Sequence, residues 1–192
     1  MEQLIQFDKD LFLFLNGLGT PTFDGFWMFI TGKWNAIPMY AVLLFLLYKK
    51  LGVQRTVLII VLIAVMIACT DQLANLFKKV LFLRPRPCHD ETVSDLMRLV
   101  KSRCGGRYGY FSAHAASSMA LAVFLGTLLK PYIKHLFTFL FIWALFVSYS
   151  RIYIGVHYPG DVLTGIIFGV LIAKLTLLIE KYLRFKLLNK SN

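Results

Sequence analysis

Three short stretches, far apart along the chain, hold the side chains whose types and spacing could do chemistry. They are Lys79 with Arg86-Pro87, then Ser112-Ala113-His114, then Ser150-Arg151 followed by His157 and Asp161. Together they suit phosphoryl transfer. Hydrolysing a phosphate ester demands cations or donors around three non-bridging oxygens, a nucleophile, and an acid for the leaving oxygen. Lys79, Arg86 and Arg151 supply fixed positive charge, the arginines being fitted to bidentate phosphate contacts. Ser112, at a predicted helix N-cap, offers its hydroxyl, while the first backbone amides of that helix, beginning at Ala113, face the same anion. His157 and Asp161 are four residues apart, so the two side chains can meet across one helical turn. A carboxylate on one imidazole nitrogen fixes the tautomer and leaves the other nitrogen free to attack. This predicts His157 as the nucleophile, through a phosphohistidine, and leaves His114 as general acid to the departing oxygen and later as base for the resolving water. Asp161 is the single carboxylate of the pattern, with no cluster of the kind that holds two cations for phosphoryl transfer. No metal and no other cofactor is therefore expected.

The elements that position these residues are predicted to be membrane spans. The chain has 192 residues, 58% hydrophobic and 16% charged, with 17 Phe, whereas a soluble domain carries about 25% charged residues. A hydrocarbon core about 30 Å thick asks for apolar runs of roughly 17 to 25 residues. The sequence offers about five: Phe26 to Tyr48, Thr56 to Phe77, Ser112 to Leu129, His135 to Tyr149, and Asp161 to Ile179. The first is clean only from about Ile37, with Lys33 inside its outer part. Residues 3–18 set Leu4, Ile5, Leu11, Phe12, Leu15 and Leu18 against Gln6, Asp8, Asp10 and Asn16, the pattern of an amphipathic helix lying in the interface. The expected architecture is all-α, a polytopic membrane bundle of about five spans plus that N-terminal helix, with residues 1–192 forming one domain. The N-terminal segment lacks a basic n-region and a small-residue cleavage site, so it reads as retained. No soluble second domain fits in this length.

A net charge of +11 would suggest nucleic acid in a soluble protein, but no basic tail or aromatic-basic stripe lies outside the apolar runs, so anionic lipid is the expected partner. Five spans place the termini on opposite sides. One side carries Lys49, Lys50, Arg55, Lys130, Lys134, Lys181, Arg184, Lys186 and Lys190 against the single acid Glu180, which reads as cytoplasmic. The other side also carries nine basic residues in its loop and turn, so this orientation stands only if some of them are anion ligands.

The three stretches resemble the pattern of the type 2 phosphatidic acid phosphatase superfamily, which includes bacterial acid phosphatases and vanadium haloperoxidases. Lys79 through Arg86-Pro87 matches the family's Lys-x6-Arg-Pro in full, and Ser150 through Asp161 matches Ser-Arg-x5-His-x3-Asp in full. The middle Pro-Ser-Gly-His is kept in part, as Phe111-Ser112-Ala113-His114. Ala113 allows close approach to a phosphate provided its φ is negative. The resemblance implies the roles derived above: catalytic His157, His114 and Asp161, and phosphate-binding Lys79, Arg86, Ser112, Ala113 and Arg151. It implies a lipid phosphatase of a bacterial-type inner membrane, its site facing the periplasm, with a phosphorylated membrane lipid as substrate, no nucleic acid and no obligate protein partner.

Which lipid is not written in the motifs. Arg84, Arg98, Lys101, Arg103 and Arg107 suit a headgroup with more than one negative charge, such as undecaprenyl pyrophosphate or lipid A phosphate. Phosphatidylglycerophosphate and phosphatidic acid are alternatives, as is transfer of the phosphoryl group to a second lipid. A small anion or proton transporter would place ionisable residues deep in several spans, whereas here they gather at one face. Of the neighbouring residues, Arg84 is expected to steer anions, Lys78 yields to Lys79 on spacing, Asp71 is expected to brace Lys79, and Ser150 to orient Arg151. Cys88 and Cys104, within one loop, form a candidate disulfide if that loop faces an oxidising compartment.

Overall fold

A computed structural model describes residues 2–188. It is a helical bundle with no strand among the described residues. The helices are α1 (Glu2–Gly17), α2 (Pro21–Thr31), α3 (Ile37–Leu76), α4 (Ala113–Leu129), α5 (Leu136–Tyr153) and α6 (Pro159–Leu183). Three helical stretches are long and apolar enough to cross a membrane, Trp34–Leu81, Leu136–Tyr153 and Pro159–Leu187, and α4 is a shorter apolar helix. The protein is an integral membrane bundle.

The sequence expectation of a span from Phe26 is corrected at its outer end. Pro21 opens α2 at a favoured first-turn position, Gly32 ends it, and a 3-10 turn over Lys33–Ala36 precedes the apolar helix. The break falls where the apolar run becomes clean. α2 instead packs on α5, with Trp27 stacked on Phe146 and Tyr153.

As a straight rod, the 40 residues of α3 would reach about 60 Å, twice a hydrocarbon core. They do not run straight. Gly52, at φ 77° and ψ 172°, adopts a conformation that costs glycine little and side-chain-bearing residues much. Tyr40 of the first limb and Ile67 of the second line the same cavity, so the limbs fold back on each other. Leu43 and Leu47 meet Ile59, Leu62 and Met66 in the main core, where α4 contributes Met119, Phe124 and Leu129.

α4 is the central helix, with 12 of its 17 residues buried. Helices in lipid gain nothing from leaving water, so close association depends on small residues at the contact. Gly165 and Gly169 of α6 meet that requirement, since a Cβ at either would collide with the backbone carbonyl of Ser112 or Ala116. This close approach brings the first turns of α4 and α6 together. At the other end of the bundle, Arg55 and the buried Glu180 form a 2.8 Å ion pair between α3 and α6. Lys190, part of the basic tail in the sequence reading, lies outside the described residues.

The N-terminal helix forms as expected, but it does more than float at an interface. Phe12 is fully buried against Tyr158. The Asn16 amide donates to the carbonyls of Arg98, Ile152 and Tyr153, and its oxygen accepts from the Arg98 amide. α1 thereby clamps the 84–110 loop onto the ends of α5 and α6.

Candidate active site

The site is built where α5 ends and α6 begins. The carbonyl of Arg151 accepts from the amides of Val156 and His157, which folds the turn back and brings His157 beside the guanidinium one helical turn earlier. Ser150, expected to orient Arg151, spends its hydroxyl on the Val147 carbonyl at 2.6 Å. His157 is buried, with Nδ1 3.4 Å from Oδ2 of Asp161 and Nε2 3.3 Å from a terminal nitrogen of Arg86. Burial pushes its imidazole well below its ordinary range, and the charges of Arg86, Arg151 and Lys78 push the same way. A neutral ring with Nδ1 turned to a carboxylate leaves the Nε2 lone pair facing the cations, the orientation a nucleophile needs.

Asp161 is fully buried and held from several sides. Its Oδ2 accepts from the Tyr158 amide at 3.1 Å, and its Oδ1 lies 3.4 Å from Arg84. Its carbonyl accepts from the Ser112 amide at 3.0 Å, tying α6 to the start of α4. Ser112 caps α4, its hydroxyl accepting from Ala115 at 3.5 Å. Ala113 is the first α4 residue and has ordinary helical backbone, as glycine's absence requires. The amides of Ala113 and His114, in the first turn, have no intrahelical acceptor and point toward an anion. His114, in the same turn, lines the neighbouring cavity.

The loop arrives through a short antiparallel pairing. Arg86 N donates to Arg107 O and Gly109 N to Arg84 O, with Pro85 bridged to Tyr108. The disulfide Cys88–Cys104, Cα atoms 6.3 Å apart, closes the segment just beyond. Arg86 donates to the Val156 carbonyl at 2.9 Å, and Arg151 donates to the Thr31 hydroxyl. The buried Nε atoms of both arginines have no protein acceptor among the described residues. Two guanidinium groups with unused donors beside one imidazole are a cradle for an oxyanion.

Two sequence expectations fall differently. Phe77–Leu81 wind into a π turn, which shifts the register at the end of α3. Lys79 is exposed, whereas Lys78 is half-buried and interacts electrostatically with Arg86, Arg151 and Asp161. Arg84 is not an outlying attractor of anions. It forms an ion pair with Asp8 at 2.6 Å, lies against Asp161, and stacks on the Tyr158 ring 3.9 Å from its centroid. Tyr158 in turn donates to Asp90 at 2.9 Å. Burial acts to raise the Asp90 carboxyl, but bonds from Lys9, Thr92 and Tyr158 outweigh it and hold the group down at about 2. The sequence reading missed Asp8, whose other oxygen accepts from the Gly160 amide at 2.7 Å. Its only sequence signal is an acid on the polar face of an amphipathic helix.

For metal ligation, the described residues bring three candidate side chains within reach of one another only at Cys88, His89 and Cys104, where the two sulfurs are joined to each other.

A helical membrane bundle that turns an imidazole, held by a carboxylate, toward paired arginines and a helix N-terminus defines a membrane phosphatase of the phosphohistidine type. Comparison with known proteins narrows the class. A family model described as the PAP2 superfamily matches residues 56–185, and the chain belongs to that superfamily. It is 40% identical over 170 residues to a lipid A 4'-phosphatase of Bacteroides thetaiotaomicron, covering 88% of this chain and 75% of that protein. It is 30% identical over 183 residues to an undecaprenyl-diphosphatase of Sulfolobus acidocaldarius, covering 93% of this chain and 81% of that one. The fold matches a transmembrane PAP2-type phosphatidylglycerolphosphate phosphatase of Bacillus subtilis with a TM-score of 0.74 at 17% identity, over 95% of this chain and 88% of that one. The chain is a membrane lipid phosphatase, as its motifs predict.

Proposed function

We propose that the protein removes a phosphate monoester from the saccharide headgroup of a lipid of the lipid A type, with water as the acceptor. The observation that carries the chemistry is His157, buried, with Nδ1 on Asp161 and Nε2 turned to Arg86. In the first step Nε2 attacks phosphorus and the bond to the lipid oxygen breaks, while His114 gives that oxygen its proton. In the second, His114 takes a proton from water, whose oxygen attacks the phosphohistidine, and inorganic phosphate leaves as the P–N bond breaks. Arg86, Arg151, the Ser112 hydroxyl, the amides at Ala113 and His114, and one ammonium of the Lys78–Lys79 pair hold the three oxygens. Arg84 and Asp8 fix Asp161 without touching phosphate.

The choice of lipid is supported by the 40% identity to a lipid A 4'-phosphatase. An undecaprenyl-diphosphatase is the second reading, supported by the 30% relative. We assign five crossings, with the 84–110 loop and the 154–158 turn on the periplasmic side of a bacterial inner membrane and the 49–55 turn in the cytoplasm. A disulfide in that loop favours an oxidising compartment, and the cradle accounts for cations that an orientation count would otherwise place in the cytoplasm.

Phosphate release from vesicles containing one pure lipid at a time tests the proposal. The expected result is release from a phosphorylated acyl-disaccharide, unaffected by an added acceptor lipid. Release from prenyl diphosphate alone would replace it with the second reading. Appearance of phosphate on the acceptor would make the protein a transferase.

A further inference from the structure

The nucleophile expels the oxygen opposite to itself, and His114 must reach that oxygen, so the leaving group lies on the His114 side of phosphorus. His114 lines a cavity of about 220 Å³ between α2, the two limbs of α3, α4 and α5. Its wall carries Asp71, Ser117, Thr31, Tyr40 and Trp143. Ser117 shares a 2.9 Å hydrogen bond with Thr70, and Thr31 accepts from Arg151, which joins the cavity to the phosphate cradle. Tyr40, Ile67 and Leu121 also line a second, almost wholly apolar groove of about 310 Å³ between the limbs of α3 and α4. The order from cradle to groove is therefore cation, proton donor, polar cavity, hydrocarbon.

An acid within a span is costly and is kept for function. The mechanism above gives Asp71 no task. Its surroundings do: a carboxylate, hydroxyls and an indole converging on one pocket are the groups that recognise a sugar ring, the carboxylate accepting from hydroxyls and the indole covering an apolar ring face. The same carboxylate opposes a leaving group that departs as an anion, because like charges in a cavity of low dielectric repel strongly. A saccharide oxygen leaves as a neutral hydroxyl once His114 protonates it. The terminal phosphate of a diphosphate leaves behind a second, charged phosphate.

We infer that Asp71 determines specificity, admitting a phosphate esterified to a saccharide hydroxyl and rejecting a lipid diphosphate. This rests on the phosphatase reading above and names the leaving group it takes. The test measures kcat/KM for full-length wild type and Asp71→Asn on a phosphorylated acyl-disaccharide and on a C55 prenyl diphosphate in matched vesicles. Labelling of each variant by an aryl phosphate serves as the control for an intact site. Wild type should prefer the disaccharide, and Asp71→Asn should shift the ratio toward the diphosphate by about tenfold or more. Trp143→Leu should raise KM for the disaccharide and leave aryl phosphate turnover unchanged. An unchanged ratio in Asp71→Asn, or a wild type that prefers the diphosphate, would overturn the inference while leaving a lipid phosphatase in place. Failure of wild type to release phosphate from either lipid would overturn the reading beneath it.

Discussion

The two ends of the bundle both bury arginine, and they bury it differently. At the end formed by residues 49–55 and α6, Arg55 meets Glu180 at 2.8 Å, and neither side chain has a buried nitrogen or oxygen without a partner. At the other end, Arg84, Arg86, Arg98 and Arg151 each keep a buried nitrogen without a protein acceptor, although Asp8, Asp24 and Asp161 stand among them. Burying a polar group without a partner is expensive. A completed pair is what a bundle uses to hold helices together, and an incomplete set is what it keeps for an anionic ligand. The contrast separates structural from catalytic charge without reference to motifs.

The largest effect that could break this comparison is at His157. His157→Ala should lose turnover by at least about 10⁴-fold while the protein still binds vanadate, measured by phosphate release and by quenching of intrinsic fluorescence. Next is His114→Ala, expected to cost about 10² to 10⁴-fold on a lipid whose leaving oxygen is strongly basic, and far less on nitrophenyl phosphate. Equal losses on both substrates would move His114 from proton donor to scaffold.

Arg86→Gln should lower kcat/KM by about 10² to 10³-fold, and it carries a pH signature. His157 attacks as the neutral ring, so activity falls as pH drops through its pKa. Burial and the charges of Arg86, Arg151 and Lys78 set that pKa well below the ordinary value of 6.5, which places the acid limb of kcat/KM below pH 6.5 in the wild type. Removing one of those cations raises the pKa, so the limb should move to higher pH in Arg86→Gln. A limb that stays put would show that Arg86 does not face the ring in solution. Lys78→Gln and Lys79→Gln sharpen the same point: the larger loss should follow the ammonium that faces the cradle, which is Lys78 if the π turn persists in lipid.

The chemistry-bearing residues were largely legible in the sequence, because an imidazole and a carboxylate four apart, and a capping serine before a histidine, are local patterns that helix geometry turns directly into contacts. Spans were legible for the same reason, from the length of apolar runs. What escaped depends on register and distant pairing. The break at Gly32 and the π turn at Phe77–Leu81 each shift which residue faces inward by a small rotation that composition does not record. Asp8 and Asn16 are ordinary polar-face residues until α1 lies across the start of α6. Arg84 and Arg86 are indistinguishable as residue types, and only the loop pairing assigns one to protein carboxylates and the other to the cradle.

At the structural end the effects are smaller and of another kind. Arg55→Gln leaves Glu180 buried without its cation and should cost about 3 kcal/mol of stability, read as a lower melting temperature in detergent, with kcat per folded molecule unchanged. Loss of kcat at constant folded fraction would mean that the two ends are coupled. Reducing Cys88–Cys104 should have a similar or lesser effect on stability, near 3 kcal/mol for a loop of this size, and mass spectrometry of unreduced, alkylated protein should find only Cys69 modified.

The central claim is that His157 carries the phosphoryl group. Acid-quench trapping with radiolabelled substrate, followed by peptide mapping, tests it most directly. The account predicts one acid-labile, base-stable label on the peptide that contains His157, formed in the wild type, accumulating in His114→Ala with a good leaving group, and absent in His157→Ala. A label that persists in His157→Ala, or that maps to any other residue, would contradict it.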